Sequence, residues 1–271
     1  MLKYRMVASD FDDTLADDSQ KIDPLTKKAI SDYIARGGKF VLCTGRMISA
    51  ILPYARELGL HGEVVGYQGT VIADIDTGKF LEEDSVPYET ALKLIEFAEK
   101  KGIYYQYYYK DTFVVDEESE ISREYSKYAF APPMCVGMNT KLYLIENHIS
   151  PTKLLYIAPP EDVPAIIKEV NDLYGSEILA NTSKKMVVEL VKRGIDKGVA
   201  MKKLGLKYGI PPEETICIGD SLNDLAMIQY AGLGVVVANG SDEAKAAADL
   251  ICPACNEGGV RWVLENLAIN K

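Results

Sequence analysis

Three carboxylates fall within four residues in the stretch Ser9-Asp10-Phe11-Asp12-Asp13-Thr14-Leu15, directly after the run Arg5-Met6-Val7-Ala8. That run predicts a buried β-strand. Like charges packed so closely repel, and burying them unpaired costs several kcal/mol or forces protonation. A hard cation with oxygen ligands is the simplest way to neutralise them. Asp10 and Asp12 stand two apart, so on an extended chain they share one face. One can attack an electrophile while the other handles the proton. Read alone, the stretch is equally an acidic turn after an edge strand, because Asp-rich turns are common.

The elements that must position these residues follow from periodicity. Asp23-Pro24 opens a helix with the cap-then-proline signature, Leu25, Ala29, Ile30, Tyr33 and Ile34 form its apolar stripe, and Gly37-Gly38 stops it. Lys39–Cys43 is a second strand ending at Thr44-Gly45-Arg46, a helix runs to about Leu58, and Glu63–Tyr67 reads as a third strand. Alternating strands and helices with near-continuous apolar strands imply right-handed crossovers and a parallel sheet covered on both faces. Ligands bind such sheets at the carboxyl ends of the strands, where Asp10, Asp12 and Thr44 project.

From residue 71 the pattern changes. Val71–Ala73 and Phe80-Leu81 flank the hairpin signal Asp76-Thr77-Gly78-Lys79. Beyond Pro87, helices are expected at Tyr88–Lys101, Ser119–Tyr128 and Glu161–Tyr174. Strands are expected at Tyr104–Tyr109, Phe113–Asp116, Leu142–Glu146, Lys153–Ala158, Glu177–Asn181 and Met186–Val191. Strands feeding directly into strands suggest an inserted α+β domain with an antiparallel sheet and helices on one face. The first pattern returns at Gly194-Ile195-Asp196-Lys197-Gly198, with a helix to Tyr208, a buried strand at Thr215–Ile218 ending in Gly219-Asp220, and a further helix holding Asn223 and Asp224. Val235–Val237 is another strand, Asp242–Ala248 a short helix, and Gly259–Asn266 a closing helix with the single tryptophan, Trp262.

The formal net charge of −10 over 271 residues argues against a nucleic-acid or anionic-membrane partner, so an anionic substrate needs local positive charge. No run approaches a membrane span, the N-terminus lacks an apolar signal region, and a cytoplasmic protein is expected. The five cysteines are scattered; Cys252 and Cys255 have CxxC spacing but no second pair or nearby histidine, and read as loop cysteines rather than a redox pair. His61 and His148 have no partners at ligand spacing.

Gathered at the strand ends are Asp10, Asp12, Thr44, Lys197, Asp220, Asn223 and Asp224. Carboxylates can hold magnesium, while a lysine and a hydroxyl can bind phosphoryl oxygens. The set resembles the haloacid dehalogenase superfamily of phosphatases in all four motifs and in their order. Asp10-Phe11-Asp12-Asp13-Thr14-Leu15 looks like the first, Thr44-Gly45-Arg46 the second, Lys197 the third, and Gly219-Asp220-Ser221-Leu222-Asn223-Asp224 the fourth. The insert is similar to the large cap of the Cof-like sugar-phosphatase branch. Two departures stand out: the family usually has glycine where Asp13 stands, and the branch more often has Asn-Gly where this chain has Gln68-Gly69.

The resemblance implies a Rossmann-like α/β core with helices on both faces, residues 1–82 and 188–271, interrupted by an α+β cap at residues 83–187 that sets specificity. It implies a Mg²⁺-dependent phosphatase acting on sugar phosphates or similar small phosphomonoesters through an aspartyl-phosphate. Asp10 is then the nucleophile and Asp12 the acid/base, while Thr44, Gly45, Lys197 and Asn223 bind the phosphoryl group. Asp10, the carbonyl of Asp12, and Asp220 ligate the metal, with Asp224 either in the metal shell or orienting Lys197. A phosphomutase or phosphotransferase using the same aspartyl-phosphate is the runner-up; a phospho-ligand-binding regulator without turnover is the third reading. The partner is a small phosphorylated metabolite, and the state a monomer or homodimer. Arg46, beginning a helix after the second motif, either faces the substrate or pairs with a carboxylate, and the surface ion pair is favoured. Tyr105, Tyr107 and Tyr109 share one strand face, with Tyr104 and Tyr108 on the other, and aromatic packing is favoured over substrate stacking.

Overall fold

The computed structural model describes residues 2–129 and 131–269 and divides the chain into two compact units, residues 1–82 with 196–271 and residues 83–195. The later joint falls at Ile195/Asp196. A boundary at 187/188 would instead cut at the head of a strand that pairs within the second unit.

The first unit opens with β1 (Met6–Ser9), α1 (Pro24–Ala35), β2 (Lys39–Leu42), α2 (Ile48–Glu57), β3 (Glu63–Gly66), β4 (Val71–Asp74) and β5 (Phe80–Glu83). Asp23 caps α1 by accepting from the Thr26 N–H, with Pro24 in the first turn. Thr26, Ala29, Ile30 and Tyr33 face inward, whereas Leu25, expected in the stripe, is exposed.

The second unit comprises α3 (Tyr88–Lys101), β6 (Tyr104–Tyr109), β7 (Thr112–Val115), α4 (Glu120–Ala129), β8 (Met134–Cys135), α5 (Thr140–Glu146), β9 (Leu154–Ile157), α6 (Val163–Tyr174), β10 (Ile178–Lys184) and β11 (Val187–Lys192). Its sheet runs β10-β11-β9-β6-β7-β8 and is antiparallel except for the β7–β8 pair. Tyr105, Tyr107 and Tyr109 join the unit's apolar core with Leu94, Ala98 and Val170. They are packing residues, as the sequence favoured. Tyr108 lies on the opposite face and meets Tyr125 of α4, hydroxyl to hydroxyl at 2.5 Å, so not every helix of this unit covers the same side. The expected strand at Leu142–Glu146 is helical. Asn139 accepts from the Lys141 and Leu142 N–H groups, which nucleates α5, and Thr140 and Leu144 are buried four apart while Leu142 and Ile145 are exposed.

The chain then returns to the first unit with α7 (Lys197–Tyr208), β12 (Thr215–Gly219), α8 (Leu225–Tyr230), β13 (Leu233–Val237), α9 (Asp242–Ala247), β14 (Leu250–Cys252) and α10 (Gly259–Val263). Five parallel strands stand in the order β14-β13-β12-β1-β2. Met6, Ala8, Val41 and Cys217 pack on Ala200, Met201 and Leu204 of α7. Alternate residues such as Val7 and Phe40 face the other side, where α1 lies against β2. β3 is not a full member of this sheet, contrary to expectation. Only Val65 bridges to Cys43, while β3 pairs antiparallel with β4. The turn at Tyr67–Gly69 reverses the chain into the hairpin with β4, and on the other edge of β3 the pairing with the β2 side is limited to that bridge.

The strand order reverses between β1 and β12, which are neighbours in the sheet although β2 follows β1 in the chain. Such a switch point leaves a crevice at the carboxyl ends of the strands. Asp10 and Asp220 are the first residues beyond those two strands. Among the described residues no helix is long and apolar enough to cross a membrane.

Candidate active site

Asp10 leaves β1 with its N–H still bonded to the Ile218 carbonyl, so the sheet ladder fixes its backbone, and its side chain is buried. The next residues curl into a tight turn in which Leu15 and Ala16 donate to the Phe11 carbonyl. Asp13 occupies the left-handed region (φ 60°), which aspartate tolerates better than most residues and which explains how it stands where glycine is usual. Its carbonyl accepts from Asn239 Nδ2 at 2.7 Å, tying the turn to the far side of the sheet. Asp12 is half-exposed at the side chain and held by both arms of Arg46, Nε to Oδ2 at 2.9 Å and Nη2 to Oδ1 at 2.5 Å. The Arg46 guanidinium lies 4.6 Å from the Phe11 ring centroid and is largely buried, not the surface pair that sequence suggested.

Lys197 begins α7, capped by the Asp196 carboxylate on the Val199 N–H. Its Nζ is fully buried, 2.7 Å from Asp10 Oδ1 and 2.6 Å from Asp224 Oδ1. Asp224 Oδ2 accepts from the backbone of Asp220 and Ser221 at 3.0 and 3.1 Å. Both its oxygens are therefore engaged, one by the ammonium and one by the turn that carries Asp220. Asp220 Oδ1 accepts from Thr14 at 3.0 Å, and one oxygen each of Asp10, Asp220 and Asp224 lie within 4.8 Å of one another.

Three carboxylates thus surround one ammonium in a buried place. Burial raises Asp10 well above the usual carboxylate range, Lys197 opposes, and Asp224 and Asp220 add to the rise. Burial, then Asp224, pushes Asp220 up to about 6. Burial works against the Lys197 charge, but Asp10 and Asp224 outweigh it and its pKa is raised. The cluster binds protons in place of a missing positive charge. A divalent oxygen-seeking cation fits that deficit, and Asp10 and Asp220 are the carboxylates with an oxygen left to meet it.

Thr44 follows β2, buried, its N–H on the Val65 carbonyl and its hydroxyl oxygen accepting from the Arg46 N–H at 3.2 Å. The hydroxyl proton is left to donate. Gly45 faces the Gln68 amide, and Asn223 Nδ2 donates to Gln68 Oε1 at 3.1 Å while Asn223 Oδ1 accepts from Ser221. The structure therefore brings Asp10, Lys197, Asp220 and Asp224 into direct contact, sets Asp12 on Arg46, and joins Asn223 to the Thr44-Gly45 loop through Gln68. Thr14, Arg46 and Asn239 were not assigned to the site from sequence. Thr14 had a signal, a hydroxyl inside the acidic motif, whereas Asn239 had none. Elsewhere, His61 pairs with Asp76 and the His148 ring lies tilted against Tyr88, both histidines exposed. Burial pushes the free thiols of Cys252 and Cys255 up to about 12, away from a reactive thiolate.

Residues 7–264 match the family model of the haloacid dehalogenase-like hydrolases. The chain belongs to that family. It is 28% identical to YxeH of Bacillus subtilis, over 99% of this chain and 100% of the relative. It is also 27% identical to the 5-amino-6-(5-phospho-D-ribitylamino)uracil phosphatase YitU of the same organism, over 97% of both chains. A solved haloacid dehalogenase-like hydrolase from Bacteroides thetaiotaomicron, 26% identical, superposes with a TM-score of 0.85 over 97% of this chain and 99% of its own. The enzyme is a phosphomonoester hydrolase of haloacid dehalogenase type.

Proposed function

We propose that the enzyme hydrolyses small phosphorylated metabolites, sugar phosphates or similar phosphomonoesters, in two steps through a phosphoryl group carried on Asp10, with Mg²⁺ as its cofactor. The observation that carries this reading is the buried excess of carboxylate over ammonium at the switch point of the sheet. Asp10, Asp220 and the Asp12 carbonyl would hold the ion, with Asp224 turned to Lys197 and the Asp220 turn. Bound there, Mg²⁺ supplies charge that lets an anionic phosphoester approach a carboxylate and clamps the transferring group.

In the first step an Asp10 carboxylate oxygen bonds to phosphorus and the ester P–O bond breaks, while protonated Asp12 gives its proton to the leaving alkoxide. In the second, Asp12 takes a proton from water as the water oxygen attacks phosphorus, and the Asp10 O–P bond breaks to release phosphate. Thr44, the Gly45 N–H, Lys197 and Asn223 bind the phosphoryl oxygens, Lys197 giving the charge that a −10 chain otherwise lacks. Arg46 holds the Asp12 carboxylate by both oxygens, so Asp12 must give up at least one of these contacts to carry the proton.

All of these residues belong to the first unit. Residues 83–195 are left to choose the leaving group, as a specificity cap. A panel of phosphorylated metabolites assayed after chelation, then with Mg²⁺ or Ca²⁺ restored, tests the reading. Turnover is expected only with metal and poorly with Ca²⁺, whose looser coordination misplaces the nucleophile. Full activity after thorough chelation would remove the metal from the reaction. Substitutions at exposed positions of the second unit should reorder the panel and leave inhibition by free phosphate unchanged; a uniform shift of every substrate and of phosphate would deny that unit a selective role.

A further inference from the structure

We propose that Gln68 is a further phosphoryl-binding residue, its Nε2 donating to an oxygen of the bound phosphoester beside Gly45; this rests on the hydrolytic reading above. The first observation is in the backbone. Tyr67, Gln68 and Gly69 follow one another at φ 52°, 58° and 98°. Two consecutive large side chains in the left-handed region are unfavourable, and such strain persists where surroundings over-determine it, commonly at functional sites. Here the surroundings do. The Tyr67 N–H donates to the Arg46 carbonyl at 2.9 Å and the Gln68 N–H to the Thr44 carbonyl at 3.0 Å. A Cβ on Gly69 would stand 2.2 Å from the Asp196 carbonyl oxygen and 2.8 Å from the Lys197 nitrogen. The strained turn is thus wedged between the Thr44–Arg46 loop and the start of α7, the two places that carry Thr44 and Lys197.

The second observation is in the side chain. Gln68 Oε1 is taken by Asn223 Nδ2, and Asn223 is oriented in turn by Ser221, which fixes the amide with Nε2 toward Gly45. A Cβ at position 45 would lie 2.4 Å from Nε2, so glycine there admits the amide at close range. Among the described residues Nε2 has no protein acceptor, and the residue is half-buried. An amide with one end tied down and its donor end open, next to the Thr44 hydroxyl and the Gly45 N–H, completes a row of donors of the kind that equatorial phosphoryl oxygens accept from. If Gln68 only braced the loop, Oε1 on Asn223 would suffice and phosphate affinity would not depend on Nε2.

Inorganic phosphate is the probe, its binding to the Mg²⁺-supplemented protein read by calorimetry, with melting temperature as the check on folding. Q68A should weaken phosphate about tenfold, as expected for one hydrogen bond to a charged group. Q68E should weaken it further, since a carboxylate repels the ligand. G45A places its methyl where Nε2 lies and should weaken phosphate as Q68A does, and the double variant G45A/Q68A should be no worse than either single change. Phosphate Kd within twofold of wild type in both Q68A and Q68E would overturn the proposal, as would additive losses in the double variant. Because the readout is binding, its failure is separate from that of the hydrolytic reading, which falls only if the wild-type enzyme turns over no phosphomonoester.

Discussion

Among the described residues one lysine is buried in each unit, and the company each keeps differs. In the first unit Lys197 faces Asp10 and Asp224 within 2.7 Å, with Asp220 beside them. In the second, Lys153 pairs with Glu189 at 3.4 Å and lies 4.7 Å from the Tyr108 ring centroid. Burial works against both ammonium groups, and in both the facing carboxylates outweigh it, so both pKa values are raised. The number of facing carboxylates tells the two apart. Asp10 and Asp220 are pushed upward, the mark of negative charge that one lysine cannot offset. Lys153 faces Glu189, and among the described residues no group of three carboxylates gathers about it as one does about Lys197; such a pair specifies packing without inviting a ligand. Charge imbalance, more than burial, separates a site from a structural pair.

The largest expected effect breaks the comparison at its nucleophile. Asp10→Asn keeps size and removes the attacking charge, so kcat should fall at least a thousandfold, about 4 kcal/mol in barrier, with the fold retained. A variant keeping a tenth of wild-type turnover would exclude a covalent role for Asp10.

A smaller effect concerns pH. Asp220 titrates near 6 in the fold against about 3.8 unfolded, and Asp10 is displaced the same way. Between about pH 4 and 6 the folded metal-free protein therefore holds more protons than the unfolded chain, and stability falls as pH rises. Glu63 works oppositely: although burial raises it, Lys207, Tyr208 and Lys39 hold its carboxyl at about 2, so its contribution is complete above about pH 4.5 and does not mask the slope. Mg²⁺ at a hundred times its Kd should raise the pH 7 melting temperature by about 5 °C, and by less at pH 5, where protons compete. Melting at pH 7 indifferent to Mg²⁺ would place the cation elsewhere.

Much of this was legible in the sequence because strand periodicity locates strand ends, and the polar residues that end each strand must gather at one edge of a parallel sheet. Asp10, Thr44 and Asp220 were readable for that reason, whereas Lys197, at the start of α7, was readable only as the third motif of the family it resembles. Asp224 was readable as a member with two open roles, in the metal shell or orienting Lys197, and its bonds to Lys197, Asp220 and Ser221 come from a turn whose geometry periodicity does not encode. Arg46 was misread because its partner lies 34 residues away and because Phe11 shelters it, both tertiary facts. β3 and α5 failed for local reasons: the apolar runs Glu63–Tyr67 and Leu142–Glu146 suit either outcome by hydrophobicity, and a left-handed turn decided one while the Asn139 cap decided the other.

The central claim, that the carboxylates about Lys197 carry surplus buried negative charge while among the described residues no such cluster surrounds Lys153, is tested most directly by thermal melts of metal-free Asp10→Asn and Glu189→Gln at pH 7. Removing one charge from the surplus should raise the melting temperature of Asp10→Asn above wild type even as its activity is lost. Neutralising Glu189 should lower it, since the buried Lys153 ammonium loses a facing carboxylate. Shifts of opposite sign are the predicted result; destabilisation of both variants to a similar extent would contradict it.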